Sequence, residues 1–209
     1  MAASYSSDVA FTESVKAIQA RRGSRGAYAR MEERGGWKTA ITPDLGGFIA
    51  AQRSFFLATA NLEGQPYVQH RGGPPGFLKP IGPRTLAFAD FAGNRQYITL
   101  GHLKENDRAH IFIPHFSTQQ RLKLWGRARV VEGDIALMER LVEPTYKARP
   151  QRAIVFELEA WDVNCRQHIT ARYSEAEMAP AVNKLVERIK ELEEEVARLK
   201  GEASQGATR

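Results

Sequence analysis

Three short segments carry side chains whose types and spacing suit the binding of an anion. In YVQHRGGPPGF, Gln69, His70 and Arg71 close a run of strand-like residues. The Gly-Gly-Pro-Pro-Gly that follows lets backbone approach a ligand closely while fixing its path. In FADFAGNRQY, an apolar run ends at Asp90, and Asn94-Arg95-Gln96 stand just before a helical stretch. Unpaired N–H groups and the positive end of a helix dipole favour an anion there, and a guanidinium such as Arg95 grips phosphate oxygens bidentately. In RLKLWGRARVV, Arg121 and Lys123 alternate with Leu122 and Leu124, which puts Arg121, Lys123 and Trp125 on one face of a strand. Taken singly, each segment also reads as an ordinary polar strand end. Taken together, three strand ends rich in donors suit one phosphorylated, planar ligand.

The elements that must position these ends fall into three regions. Residues 1–51 hold a helical pattern over 9–21, a Gly/Arg-rich segment, and a second helix near 43–53 that opens on Thr42-Pro43 and places Leu45, Phe48 and Ile49 on one side. Residues 52–169 read as strand after strand. SFFLATANLEGQPYVQHRGG is a hairpin turning at 61–64, and GFLKPIGPRTLAFADF is another turning at Gly82-Pro83-Arg84. A helix over 96–105, the pair RAHIFIPHF and QRLKLWGRARVVEG, a helical stretch over 134–146 and a last strand, AIVFELEAWDVNC, complete the region. Five to seven short strands with little helix between them predict a mainly β chain with flanking helices, its sheet closed or nearly closed into an antiparallel barrel.

The third region is a helix over 174–200. Val182, Leu185, Ile189, Leu192, Val196 and Leu199 recur at intervals of 3, 4, 3, 4 and 3, a heptad seam sustained for about two and a half repeats. Glu187–Glu191 is an unfavourable i,i+4 pair on this helix and Glu194–Arg198 a favourable one. Such a helix either lies on its own barrel or pairs with a second subunit, and the narrow seam favours pairing. Residues 201–209 read as a polar, disordered tail.

Bulk properties exclude several classes. The chain of 209 residues is 43% hydrophobic and 26% charged, as expected for a globular protein that buries a real core. No apolar run approaches the roughly 20 residues of a membrane span, and no secretory leader is evident, so a cytoplasmic protein without membrane contact is expected. Cys165 is the only cysteine, which rules out an intrachain disulfide and reads as a small buried hydrophobe; no metal site is expected. The net charge of +6 is scattered, with acidic residues breaking up the basic groups. It fits a basic pocket for a phosphorylated ligand as well as nucleic acid. A nucleic-acid-binding barrel would expose aromatics on one sheet face, whereas Phe55, Phe56 and Phe88 sit in core-like runs. P-loop, dinucleotide, HExxH and GxSxG motifs are all missing.

The order of the segments resembles the FMN-binding split barrel of the pyridoxamine 5'-phosphate oxidase superfamily. The resemblance spans about residues 52–169 and rests on FFLATANLEGQPYVQHRGGPPGFLK, RTLAFADFAGNRQYITLGHLKEND and RLKLWGRARVVEG. It implies that Leu78-Lys79 is the Leu-Lys pair opening a hairpin and that the strand through Phe88, Ala89 and Asp90 lays backbone beside the flavin. It also implies that Asn94-Arg95-Gln96 is the phosphate triplet, with Gln96 where the family has Lys. The Gly-Gly-Pro-Pro-Gly insertion is foreign to the pattern and leaves open whether Arg71 or Lys79 takes the basic role. The true oxidase's C-terminal substrate signature is absent; WDVNCRQHITARYS and the long helix stand in its place. The resemblance therefore implies the cofactor, FMN, more strongly than the substrate. It further implies a homodimer with flavin at the subunit interface. Gln69, Arg71 and Lys123 are then donors to the N1/O2 or N5 edge of the ring, His70 and Arg121 further cofactor-binding residues, Phe77 or Trp125 walls, and Gln167 and His168 residues that reach the partner's flavin. The expected function is an FMN-dependent oxidoreductase acting on a small molecule, with NAD(P)H as a candidate electron donor. The alternative is a non-catalytic flavin- or haem-binding sensor of the same fold.

Overall fold

The computed structural model describes residues 5–164 and 167–206; Cys165 lies outside the described residues. The chain divides into two compact units, one of residues 1–115 and 120–167 and one of residues 116–119 and 168–209.

The first unit opens with a short 3-10 turn, Ser6–Val9, and helices α1 (Glu13–Arg21), α2 (Arg25–Glu33) and α3 (Pro43–Ala50). The pattern over 9–21 thus splits, because Thr12 takes the cap position and its side chain accepts from the Val15 amide at 3.3 Å. The Gly/Arg-rich segment is itself α2, pinned by buried Glu32, which pairs with Arg25 and accepts from the Ser7 hydroxyl at 3.0 Å. α3 begins as its sequence predicts: Thr42 accepts from the Leu45 amide at 3.3 Å, Pro43 fills the first turn, and Leu45 and Ile49 are buried.

Seven strands follow: β1 (Ser54–Ala60), β2 (Pro66–Gly72), β3 (Lys79–Pro80), β4 (Thr85–Phe91), β5 (Arg108–His115), β6 (Gln120–Val131) and β7 (Pro150–Asn164). Helix α4 (Ile98–Glu105) joins β4 to β5, and α5 (Ile135–Leu141) joins β6 to β7. All pairings are antiparallel, in the order β2-β1-β5-β6-β7-β4-β3. Among the described residues no ladder joins the edge strands β2 and β3. The sheet is therefore open between its edge strands, as expected for a split barrel. The two-residue length of β3 follows from Pro80 and Pro83, which cannot donate to a longer ladder.

The alternating apolar residues of β1, β5 and β6 turn inward, so that Phe55, Leu57, Ile111, Ile113, Leu122 and Leu124 join Phe88, Ile154 and Phe156 in the main core. β4 is buried on both faces. Leu86 and Phe88 enter that core, while Ala87 and Ala89 pack with Ala153, Val155 and Leu141 in a second cluster. Phe55 stacks on Phe77 at 5.4 Å and meets Phe88 edge-on at 5.1 Å. Burying each such side chain stabilises the fold by about 1.5–3 kcal/mol.

In the second unit, Gln119 donates to the Ile169 carbonyl at 2.6 Å, and the Arg172 guanidinium lies over the Phe116 ring at 5.1 Å. Helix α6 (Glu175–Gly206) runs beyond Lys200, where the sequence places its end. Ser174 caps it reciprocally: Glu177 N donates to Ser174 Oγ at 3.3 Å, and Ser174 N donates to Glu177 Oε2 at 2.8 Å. No helix among the described residues is long and apolar enough to cross a membrane.

Candidate functional site

Strand periodicity decides which polar residues can meet. On β2, Tyr67, Gln69 and Arg71 share one face and are partly buried, while Pro66, Val68 and His70 face the other way and are exposed. The inward set lines a cavity of about 220 Å³ together with Asp90 and Phe91 at the end of β4, residues 93–100 of the following turn and helix, and Gln151 and Arg152 at the start of β7. Of the residues singled out from sequence, the fold brings Gln69, Arg71, Asp90, Asn94, Arg95 and Gln96 together here.

The floor of the cavity is a buried ion cluster. Register sets Asp90 opposite Arg152 across the β4–β7 ladder, with a bulge between Asp90 and Phe91. The Asp90 carboxylate, nearly inaccessible, accepts from Arg71 Nη1 and lies 3.6 Å from Arg152 Nη1. Arg152 Nε stands 3.2 Å from Glu132 Oε1 without the alignment of a hydrogen bond, and its guanidinium covers the Tyr97 ring at 5.7 Å. Arg71 Nε and Arg152 Nε are both buried without a hydrogen-bond partner. An unsatisfied buried donor costs about 1–3 kcal/mol, more where it belongs to a charged group, and so marks a place for an acceptor.

The rim is the turn leading into α4. Arg95 and Tyr97 both hold left-handed backbone, at φ 61° and 54°. Such conformations in residues with a Cβ cost about 1–3 kcal/mol each and gather at ligand sites. Asn94 Oδ1 accepts from the Gln96 amide at 3.2 Å, and Asn94 Nδ2 donates to Gln96 Oε1 at 3.2 Å, which fixes the turn and leaves Arg95 exposed at its apex. Buried Thr99 donates to Gln69 Oε1 at 2.8 Å, so the Gln69 amide offers its NH₂ as the remaining donor. Two guanidinium groups thus meet the Asp90 carboxylate and a third, Arg95, lines the rim of the same cavity, an arrangement suited to an oxyanion of high charge.

The other candidates lie elsewhere. His70 packs edge-on against Phe56 at 5.7 Å, on the face opposite Gln69 and Arg71. Phe77, Leu78 and Phe88 are core residues, and Ala89 packs in the second cluster. Lys79 does not line the cavity; its ammonium is 3.9 Å from Glu143. Arg121 Nη2 donates to the Gln167 carbonyl at 3.1 Å. Lys123 does share a strand face with Trp125, but it pairs with Asp162 at 2.8 Å and lies over the Trp37 and Trp125 rings. Those two indoles stack at 4.5 Å where the N-terminal segment crosses β6, lining a separate cavity of about 830 Å³. His168 holds left-handed backbone at φ 61° in the second unit. Arg152, Gln151, Tyr67, Tyr97 and Thr99 were not predicted. Arg152 stands in KARPQR, which sequence alone shows only as part of the scattered positive charge, and only strand register sets it opposite Asp90.

The sequence model of the family described as pyridoxamine 5'-phosphate oxidase matches residues 41–166, about three-fifths of the chain. No curated protein sequence matches. Among solved structures, HupZ of group A Streptococcus is 13% identical, with 63% of this chain and 99% of that chain covered at a TM-score of 0.48. An FMN-binding protein from Syntrophomonas wolfei is 14% identical, with 70% and 97% covered at 0.46. General stress protein 26 of Bacillus anthracis is 15% identical, with 56% and 89% covered at 0.42.

Proposed function

The chain belongs to the pyridoxamine 5'-phosphate oxidase family, and on that footing we propose that it is an FMN-binding oxidoreductase acting on a small molecule, the cavity beneath the 93–100 turn seating the flavin's phosphate arm. One observation carries the reading: Arg71, Arg95 and Arg152 line one cavity, and Arg71 holds a buried Nε donor without a hydrogen-bond partner. The residues fit the group. A phosphate monoester supplies several strong acceptor oxygens and enough negative charge to offset the positive charge that Asp90 and Glu132 leave unbalanced. A volume of about 220 Å³ is below the roughly 300–1,000 Å³ of pockets that enclose a drug-sized ligand, which suits a phosphate arm with the ring held beyond it. A second protomer completing the site accords with this, and Gln167 and His168 are the residues we assign to the partner's ring.

Bound FMN supplies the redox chemistry through its isoalloxazine. The chain's own residues do the placing. Asp90 holds Arg71 and Arg152 in position, Thr99 turns the Gln69 amide outward as a donor, and Arg95, at the rim, would hold the phosphate. The test is titration of the purified protein with FMN, followed by flavin fluorescence, for the native chain and for Arg95→Ala and Arg152→Ala. Loss of a charge-assisted contact of about 1.5–3 kcal/mol weakens affinity by roughly 10- to 100-fold in each variant. Unchanged affinity in both variants, or failure of the native chain to take up FMN, overturns the assignment. Reduction of bound flavin by NADH or NADPH in steady state then distinguishes an oxidoreductase from a carrier.

A further inference from the structure

Helix α6 carries an apolar stripe that the single chain leaves in water. Val182, Leu185, Ile189, Leu192, Val196 and Leu199 are each 43–64% exposed. Contiguous exposed apolar surface of this kind marks an interaction site, and the sequence of the stripe says what covers it. Set on a heptad, positions a are Val182, Ile189 and Val196, all β-branched, and positions d are Leu185, Leu192 and Leu199. β-Branched residues at a with leucine at d favour two parallel strands over higher assemblies.

The flanking charges choose the same partner and the same direction. In a parallel, in-register pair, position g of one helix faces position e of the next heptad on the other. Arg188 then meets the other copy's position 193, a Glu, and Glu195 meets its position 200, a Lys. Counted from both helices, this makes four opposite-charge contacts and no like-charge ones. The first heptad's g and e positions, Ala181 and Val186, widen the apolar seam instead. Running the helices antiparallel sets Glu193 against Val186 and Lys200 against Ala179 and retains only contacts between Arg188 and Glu195. In the single chain Arg188 pairs along its own helix with Glu191 at 2.8 Å, an exposed contact that is easily exchanged.

We infer that α6 binds the α6 of a second copy of this chain as a parallel, in-register two-stranded coiled coil over residues 182–199. This adds a second contact to the proposed homodimer and does not depend on the cofactor. A seam of only about two and a half heptads is short for an isolated coil. Attachment to subunits that also meet elsewhere raises the effective concentration of one helix for the other.

The test uses the full chain with its native cysteine replaced, Cys165→Ser, and one new cysteine at a time. Position 199 lies against its own counterpart in the parallel pair, but about 26 Å from it when antiparallel, at 1.5 Å per residue over the 17 residues from 182. A disulfide needs Cα atoms within about 7 Å. Leu199→Cys and Val182→Cys should each cross-link to themselves in high yield under mild oxidation at micromolar concentration, while Glu194→Cys, on the outer face, should not. Arg188→Glu should lower the Leu199→Cys yield several-fold, and Arg188→Glu with Glu193→Arg should restore it. Cross-linking only in a mixture of the 182 and 199 variants, equal yields at 194 and 199, or no cross-link at either seam position overturns the inference. A chain that stays dimeric by mass without cross-linking keeps the flavin-site dimer and removes the coiled coil.

Discussion

Asp90→Asn separates a structural role for the buried ion cluster from a ligand-binding one. The substitution keeps the side chain's shape and removes its charge, leaving Arg71 and Arg152 without their shared counter-ion. All three side chains are at least 88% buried, with Arg71 hydrogen-bonded to one carboxylate oxygen and Arg152 at 3.6 Å from the other. Breaking a buried pair by removing one partner costs about 3–5 kcal/mol. The asparagine still accepts a hydrogen bond from Arg71, which places the loss near the lower end, about 3 kcal/mol. For a chain of this size that lowers Tm by about 6–12 °C. If the cavity seats a phosphate, FMN replaces the missing negative charge. The variant should then bind FMN about tenfold more tightly, so that saturating FMN recovers about 1.4 kcal/mol more stability in the variant than in the native chain. Thermal unfolding of both proteins with and without FMN measures the double difference. A deficit that is the same in both conditions refutes the phosphate assignment, and an undiminished Tm refutes the ion cluster itself.

Arg95→Gly should relieve left-handed strain at the rim and so hold or raise Tm, while weakening FMN binding by at least tenfold; parallel melting and titration read the two effects separately. At the β6 bulge, a Cβ on Gly126 would lie 2.0 Å from the Glu157 carbonyl oxygen. Gly126→Ala should therefore cost on the order of 4 kcal/mol or more, measured by urea denaturation, because backbone on both strands must move. Partial burial, with help from the Lys123 charge, lowers the pKa of His110 from 6.5 to about 4. The unfolded chain then binds more protons between those values, so this stability is complete above pH 6.5 and is lost as the pH falls toward 4. Discounted for the ring's partial exposure, the effect is about 2 kcal/mol. His110→Gln should flatten the Tm profile across that window and leave it unchanged at pH 8.

Residues 54–164 were largely legible because β structure writes itself locally. The hairpin turns at 61–64 and 82–84, the cap at Thr42 and the inward alternation of β5 and β6 all follow from patterns within a few residues. The same rule of two, applied strictly, would have separated His70 from Gln69 and Arg71, since neighbours on a strand face opposite ways. α2 was not legible, because its helix is held by Glu32, Arg25, Gln19 and Ser7 meeting across the N-terminal segment rather than by its own apolar periodicity. Lys123 was legible as to its face but not its neighbours. Trp37 arrives beside it from nearly 90 residues upstream, and no local pattern announces such a contact.

The departure at Gln96 is where the two kinds of information meet. The family resemblance leads one to expect a lysine after Arg95, and a neutral amide there removes one positive charge from the phosphate side. The β4–β7 register brings Arg152 to the same cavity from the neighbouring strand. A guanidinium fixed by Asp90 and stacked on Tyr97 is better ordered than a lysine on a turn, and its planar fork suits phosphate oxygens better than a point charge does. If Arg152 makes up for the missing lysine, Gln96→Lys should tighten FMN binding only slightly in the native chain. It should restore most of the affinity lost in Arg152→Ala, a non-additivity of at least 1 kcal/mol in a double-mutant cycle followed by FMN titration. Strict additivity of the two changes would mean that Arg152 and residue 96 address different groups, and that the charge of this site is balanced in some other way.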